Sequence, residues 1–199
     1  MKSNLFGLLL LLISIGFIES KTEKLLRSYV FQPDTPIRQN RLSNFTIFDS
    51  TETKILYRVR CSTRDFDTMV VIRYPNRDVF AYAEGVWVET PFNVTFSVYN
   101  KKDIGWTDGI VKKKRVYFNY ALIVPWKRKE LIMRKRTLSR KTVFYYESNG
   151  NQILARSAVK SWFGKERHTL SIFDDTVPDA LTFVLLAMLH QRTELEVND

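Results

Sequence analysis

The chain has 199 residues, 26% charged and 45% hydrophobic, with seven glycines and six prolines, a composition that excludes collagen-like, low-complexity and disordered classes. A single cysteine excludes a disulfide framework, and two histidines leave little material for a histidine-built zinc site, so neither a metal nor a cofactor is expected. Formal net charge is +10, and it is local: residues 101–141 hold 14 Lys or Arg against three acids, making that segment +11 and the rest of the chain −1.

Lys2 precedes an apolar run, residues 5–18, broken only by Gly7, Ser14 and Gly16. That is the length of a signal-peptide core, whereas a spanning helix needs about 20 apolar residues. Residues 1–20 are therefore expected to be a signal peptide cleaved near Ser20, the rival being an uncleaved signal-anchor. Two sequons, Asn44-Phe45-Thr46 and Asn93-Val94-Thr95, agree with secretory entry and make Asn44 and Asn93 candidate glycosylation sites. The tail at 193–199 is polar and matches neither a lipid-anchor signal nor a retention signal. The expected destination is extracellular, as a secreted glycoprotein.

Residues 21–43 are read as an N-terminal extension with a first strand, and 44–192 as one domain. From residue 44 short alternating segments follow one another between polar turns, the period-2 signal of half-buried strands. The segments 45–48 and 55–60 form a hairpin, as do 69–74 and 79–83 around Pro75-Asn76-Arg77-Asp78. Strands are expected at 92–99, 115–124 and 131–137, and another at 168–173. A further hairpin joins 142–147 to 152–156 through Asn149-Gly150, a dipeptide that tolerates the positive φ such turns demand. About ten strands precede one helix.

Cys61 falls on the same strand face as Tyr57 and Val59. Three readings stand for a lone thiol there: a buried small hydrophobe, a disulfide joining two chains, or a nucleophile, the last with no neighbouring base in sequence.

The helix, expected over 177–192, is apolar on every side from Ala180 to Leu189, so it belongs in a core or a membrane. Its span of about 22 Å is short of the ~30 Å hydrocarbon thickness. A sheet curled around it buries both. Thr176-Val177-Pro178-Asp179 has the capping-box pattern with proline in the first turn.

The order of hairpins, the stretch Ser171-Ile172-Phe173-Asp174-Asp175-Thr176-Val177-Pro178-Asp179 and the apolar helix to Leu189 resemble the LURP-one-related group of the tubby C-terminal-like superfamily, which includes phospholipid scramblases. The likeness covers roughly residues 28–192. It implies a mainly β fold, a closed twelve-stranded antiparallel barrel threaded by the C-terminal helix. Tubby proteins bind phosphoinositide headgroups, while many LURP-one-like members have no established activity. The leader departs from that pattern, and no cysteine cluster or EF-hand loop supports a scramblase.

If 115–124 and 131–137 are antiparallel neighbours, Lys112, Lys113, Lys114 and Arg115 share one barrel end with Arg134, Lys135, Arg136, Arg140 and Lys141, while Lys127, Arg128 and Lys129 fall at the other. Nine cations at one end raise a local positive potential and attract anionic partners. Such residues also serve solubility and guard strand edges. Tyr117, Phe118, Tyr120 and Trp126 could stack nucleic-acid bases, but Phe118 and Tyr120 alternate with Leu122 and Val124 on the core face, which makes nucleic acid the weaker partner. The leading expectation is a secreted, non-enzymatic domain whose basic end binds an anionic polymer or a lipid headgroup surface. The alternative is a structural or protein-interaction module, a monomer or a Cys61-linked dimer. No catalytic motif occurs, and His168 and His190 lack an evident nucleophile partner, leaving an unrecognised hydrolase as the least supported reading.

Overall fold

A computed structural model describes residues 24–35, 42–63, 67–86, 92–116, 119–135, 141–146, 152–162 and 165–193. Among them the strands are β1 (Arg27–Pro33), β2 (Phe45–Asp49), β3 (Ile55–Thr63), β4 (Asp67–Arg73), β5 (Val79–Val86), β6 (Asn93–Asn100), β7 (Gly105–Val116), β8 (Asn119–Trp126), β9 (Lys129–Lys135), β10 (Lys141–Tyr146), β11 (Ile153–Trp162) and β12 (Lys165–Ile172), followed by helix α1 (Asp179–Thr193). Each strand pairs antiparallel with its sequence neighbours, and β1 pairs with β12, closing a twelve-stranded barrel. Closure leaves no open edge. The mainly β barrel with a buried helix is the fold class expected from sequence.

Alternation builds the wall. Val59, Val71, Ala81, Ala83, Phe96, Val98, Leu122, Val124, Leu131, Met133, Phe144 and Leu170 point inward and are buried in one core with the helix. Helix residues Ala180 to Leu189 are all buried, and α1 touches strands as far apart in the barrel as β3 and β9. A helix in that position needs no polar face, which explains its uniformly apolar sequence. Each large aliphatic side chain buried there contributes roughly 1.5–3 kcal/mol.

The helix is fixed at both ends by polar side chains. The Asp179 carboxylate accepts from Arg27 Nε and Nη2 at 2.9 Å each and from the Tyr29 hydroxyl at 2.6 Å. Burial and the adjacent carboxylate push the Tyr29 pKa upward, so the phenol stays a donor. Gln191 Nε2 donates to the Ser43 carbonyl at 2.8 Å and to Cys61 Sγ at 3.2 Å. The capping box is therefore not formed as expected: the Thr176 N–H goes to Asp174 Oδ1 at 2.7 Å, and the Asp179 side chain serves β1.

Three boundaries differ from the sequence reading. The barrel starts at Arg27 rather than at residue 44, because β1 is the strand that closes it. The expected strand 115–124 is two strands, with Arg115 near the end of β7 and Asn119 opening β8. The expected connection 125–130 shrinks to Lys127 and Arg128, both at positive φ (43° and 67°), as a tight two-residue hairpin requires. The Asn149-Gly150 turn and the leader lie outside the described residues, although β10 and β11 pair as a hairpin should.

Candidate anion-binding face

The described part of the basic segment occupies β7, β8 and β9, and its register decides which cations act together. Lys112 pairs with Ile123, Lys113 with Leu122, Lys114 with Ala121 and Arg115 with Tyr120. On the next strand Ala121 pairs with Arg134, and Thr142 of β10 pairs with Lys135. Lys112 to Arg115 and Arg134 to Lys135 thus lie toward one end of the barrel, and the Lys127-Arg128 hairpin lies at the other. Arg136 and Arg140 lie outside the described residues; Lys141 is placed by its backbone pairing with Ala158.

These cations do not form one face. Side chains along a strand alternate, and partners across a ladder share a side. Lys113 is level with inward Leu122, and Arg115 and Lys135 follow the same inward parity, toward the end of the barrel where α1 finishes. Lys112, Lys114 and Arg134 stand outside. The described members of the cluster expected from sequence, Lys112 to Arg115 with Arg134 and Lys135, therefore divide into an inner and an outer set, because consecutive basic residues on a strand must point to opposite sides.

The outer set is extended by a residue that the sequence reading passed over. Lys114 is level with Ala121, Ala121 with Arg134, Arg134 with Val143 and Val143 with Arg156. Lys114, Arg134 and Arg156 therefore lie in one row across β7, β9 and β11, with Ala121 and Val143 between them. Alternate strands are about 10 Å apart, which sets the cation spacing along the row. Lys112 lies two residues from Lys114 on the same face, exposed and without an acid partner among the described residues. Ala121 pairs off with Ile123 and Ile132 in a small apolar cluster separate from the main core. On this outer side Ala121, Ile123, Ile132 and Val143 are buried, and what the face presents is the cations, Lys112 and Lys114 exposed and Arg134 and Arg156 half-buried. Arg156 was hidden because it stands alone among Ala, Ser and Leu, and only the β10–β11 register brings it level with Arg134.

No protein-family model, no curated protein and no solved structure matches this chain. The site is therefore read from its chemistry alone. Among the described residues no group of three His, Cys, Asp or Glu side chains stands together as metal ligands would, and no helix is long and apolar enough to cross a membrane.

Of the inner set, Lys135 lies near a polar layer below the C-terminal end of α1. The rings of His168 and His190 touch, with centroids 3.9 Å apart, and His168 is buried. Burial first, then His168 and Lys135, hold the His190 pKa well below the usual histidine value. Cys61 faces the same interior, beside Gln191, and burial pushes its pKa up to about 12. The inward position expected from alternation is the observed one.

The two sequon asparagines are both exposed. Asn44 Oδ1 accepts the Cys61 N–H at 2.8 Å, and Asn93 opens β6. Trp126, considered as a base-stacking platform, is buried instead, its ring stacked on Phe96 at 6.5 Å.

Proposed function

We propose that the protein is a secreted, non-enzymatic barrel domain of the tubby-like kind that binds an anionic polymer or surface across its outer wall. The observation that carries this reading is the row Lys114, Arg134, Arg156, with exposed Lys112 beside it, on a face whose intervening positions are small or apolar. An extended polyanion lying across the strands meets a positive charge about every 10 Å. Secretion is supported by the leader pattern and by the exposure of Asn44 and Asn93. The kinship is supported by element order and by the barrel that encloses α1. The alternative of a Cys61-linked dimer has less support, since the thiol faces the barrel interior and hydrogen-bonds with Gln191.

The double variant Lys114→Glu/Arg134→Glu tests the site against Arg128→Glu/Lys129→Glu, which changes the charge equally at the other end. On immobilised heparin the first is expected to elute at markedly lower salt than the unmodified protein and the second close to it. Equal shifts for both would mean that only total charge matters.

A further inference from the structure

The end of the barrel where α1 begins, opposite the basic end, holds a cavity of about 290 Å³. That is at the lower limit for ligand sites, room for a single small ring. Its wall is aromatic. Tyr29, Tyr57, Phe80 and Tyr99 come from β1, β3, β5 and β6 and stand edge to face in series, with centroids 6.5, 6.1 and 5.9 Å apart. Tyr99 continues the series to half-exposed Trp106 at 5.9 Å.

The charges around this wall are unequally compensated. Arg27 is held by Asp179, and Lys102 pairs with Asp175 at 2.8 Å. Lys101 and Arg73 meet no acid among the described residues; each lies instead by the Phe80 ring, 5.3 and 5.9 Å from its centroid. A ligand that presents a ring to the wall and one negative charge to its edge satisfies both features. The rings are nearly perpendicular to one another (77°, 76° and 85°), so there is no parallel slot for a flat aromatic guest. A one-sided wall suits the C–H face of a sugar ring. The Lys102–Asp175 pair, about half exposed at the rim, sets a donor beside an acceptor, the arrangement that adjacent hydroxyls require. Burial raises the Tyr57 pKa, so its hydroxyl remains a donor.

We propose that this cavity binds an acidic sugar residue, a hexose-sized ring bearing a carboxylate, stacked on the Tyr57–Phe80–Tyr99 wall with its charge on Lys101. The site is separate from the outer-wall row and does not depend on it.

Titration calorimetry and saturation-transfer NMR with glucuronic acid, glucose and benzoate test the assignment on the full protein. Glucuronic acid is expected to bind, with glucose at least about tenfold weaker, since a charged hydrogen bond is worth roughly a factor of ten. Lys101→Ala, a change at an exposed turn, is expected to weaken glucuronic acid by a similar factor and leave the circular dichroism spectrum unchanged. Lys114→Glu/Arg134→Glu is expected to leave it unaltered. No binding of glucuronic acid, equal binding of glucose, or benzoate binding as tightly as the sugar acid would each overturn the proposal.

Discussion

Gly109 shows how one residue settles a whole stretch of wall. It pairs with Phe96, and a Cβ on it would come within 2.4 Å of the Phe96 ring. The ring takes the space that a side chain on β7 would otherwise fill. Gly109→Ala is expected to cost about 1–3 kcal/mol in urea unfolding, as overpacking does, and Phe96→Leu added to it is expected to restore part of the loss. A neutral Gly109→Ala would show that the ring moves freely. Cys61 is a second case in which place outweighs type. Its thiol lies in the barrel, where burial pushes its pKa up to about 12, so at pH 8 the folded protein is expected to resist maleimide labelling and to run as a monomer without reductant. Rapid labelling, or a reducible dimer, would contradict the inward placement.

At the scale of elements, α1 carries the heaviest burden, because the inner faces of β3, β4, β5, β6 and β9 rest on it and its side chains join the core of the whole wall. Its two polar anchors, Asp179 and Gln191, lie at its ends, and near the second of them His190 stands against His168, with Lys135 nearby. The folded chain holds His190 below its ordinary pKa of 6.5, so the unfolded chain binds a proton that the folded one refuses. Stability is thus fully present above pH 6.5 and falls as pH drops below it, by up to about 1.4 kcal/mol per pH unit for one group. Urea midpoints at pH 7 and pH 5.5 measure this window above the carboxylate range, and His190→Gln is expected to flatten it. An unchanged slope in that variant would assign the acid sensitivity elsewhere. Strand β7 makes the opposite point about sequence. Its inward positions Gly105, Thr107 and Gly109 carry no apolar alternation, so pattern reading attached its last residues to the next strand. The packing that explains Gly109 comes from Phe96 of β6 and is visible only once the two strands are paired.

For the molecule as a whole, closure and the central helix were legible because both leave local marks: period-2 alternation for the wall, and a short helix with no polar face for the core. The site was less legible. Sequence proximity grouped nine cations, but Lys113 and Lys114 are neighbours that face opposite sides, whereas Lys114 and Arg156, far apart in sequence, share a row. The aromatic cavity at the other end left no local trace, since its rings come from four strands, one residue each. Charge density along a chain reports how much cation there is, and register reports which way it points.

The salt dependence of binding to a sulfated polymer tests the central claim most directly. Affinity of the unmodified protein measured across a salt series is expected to fall along a line in log–log form whose slope reflects roughly three or four engaged cations, as counterion release requires. In Lys114→Glu/Arg134→Glu that slope is expected to shrink with the affinity. Binding that is absent at low salt, or a slope that the double variant leaves intact, would contradict an anion-binding function for the outer wall.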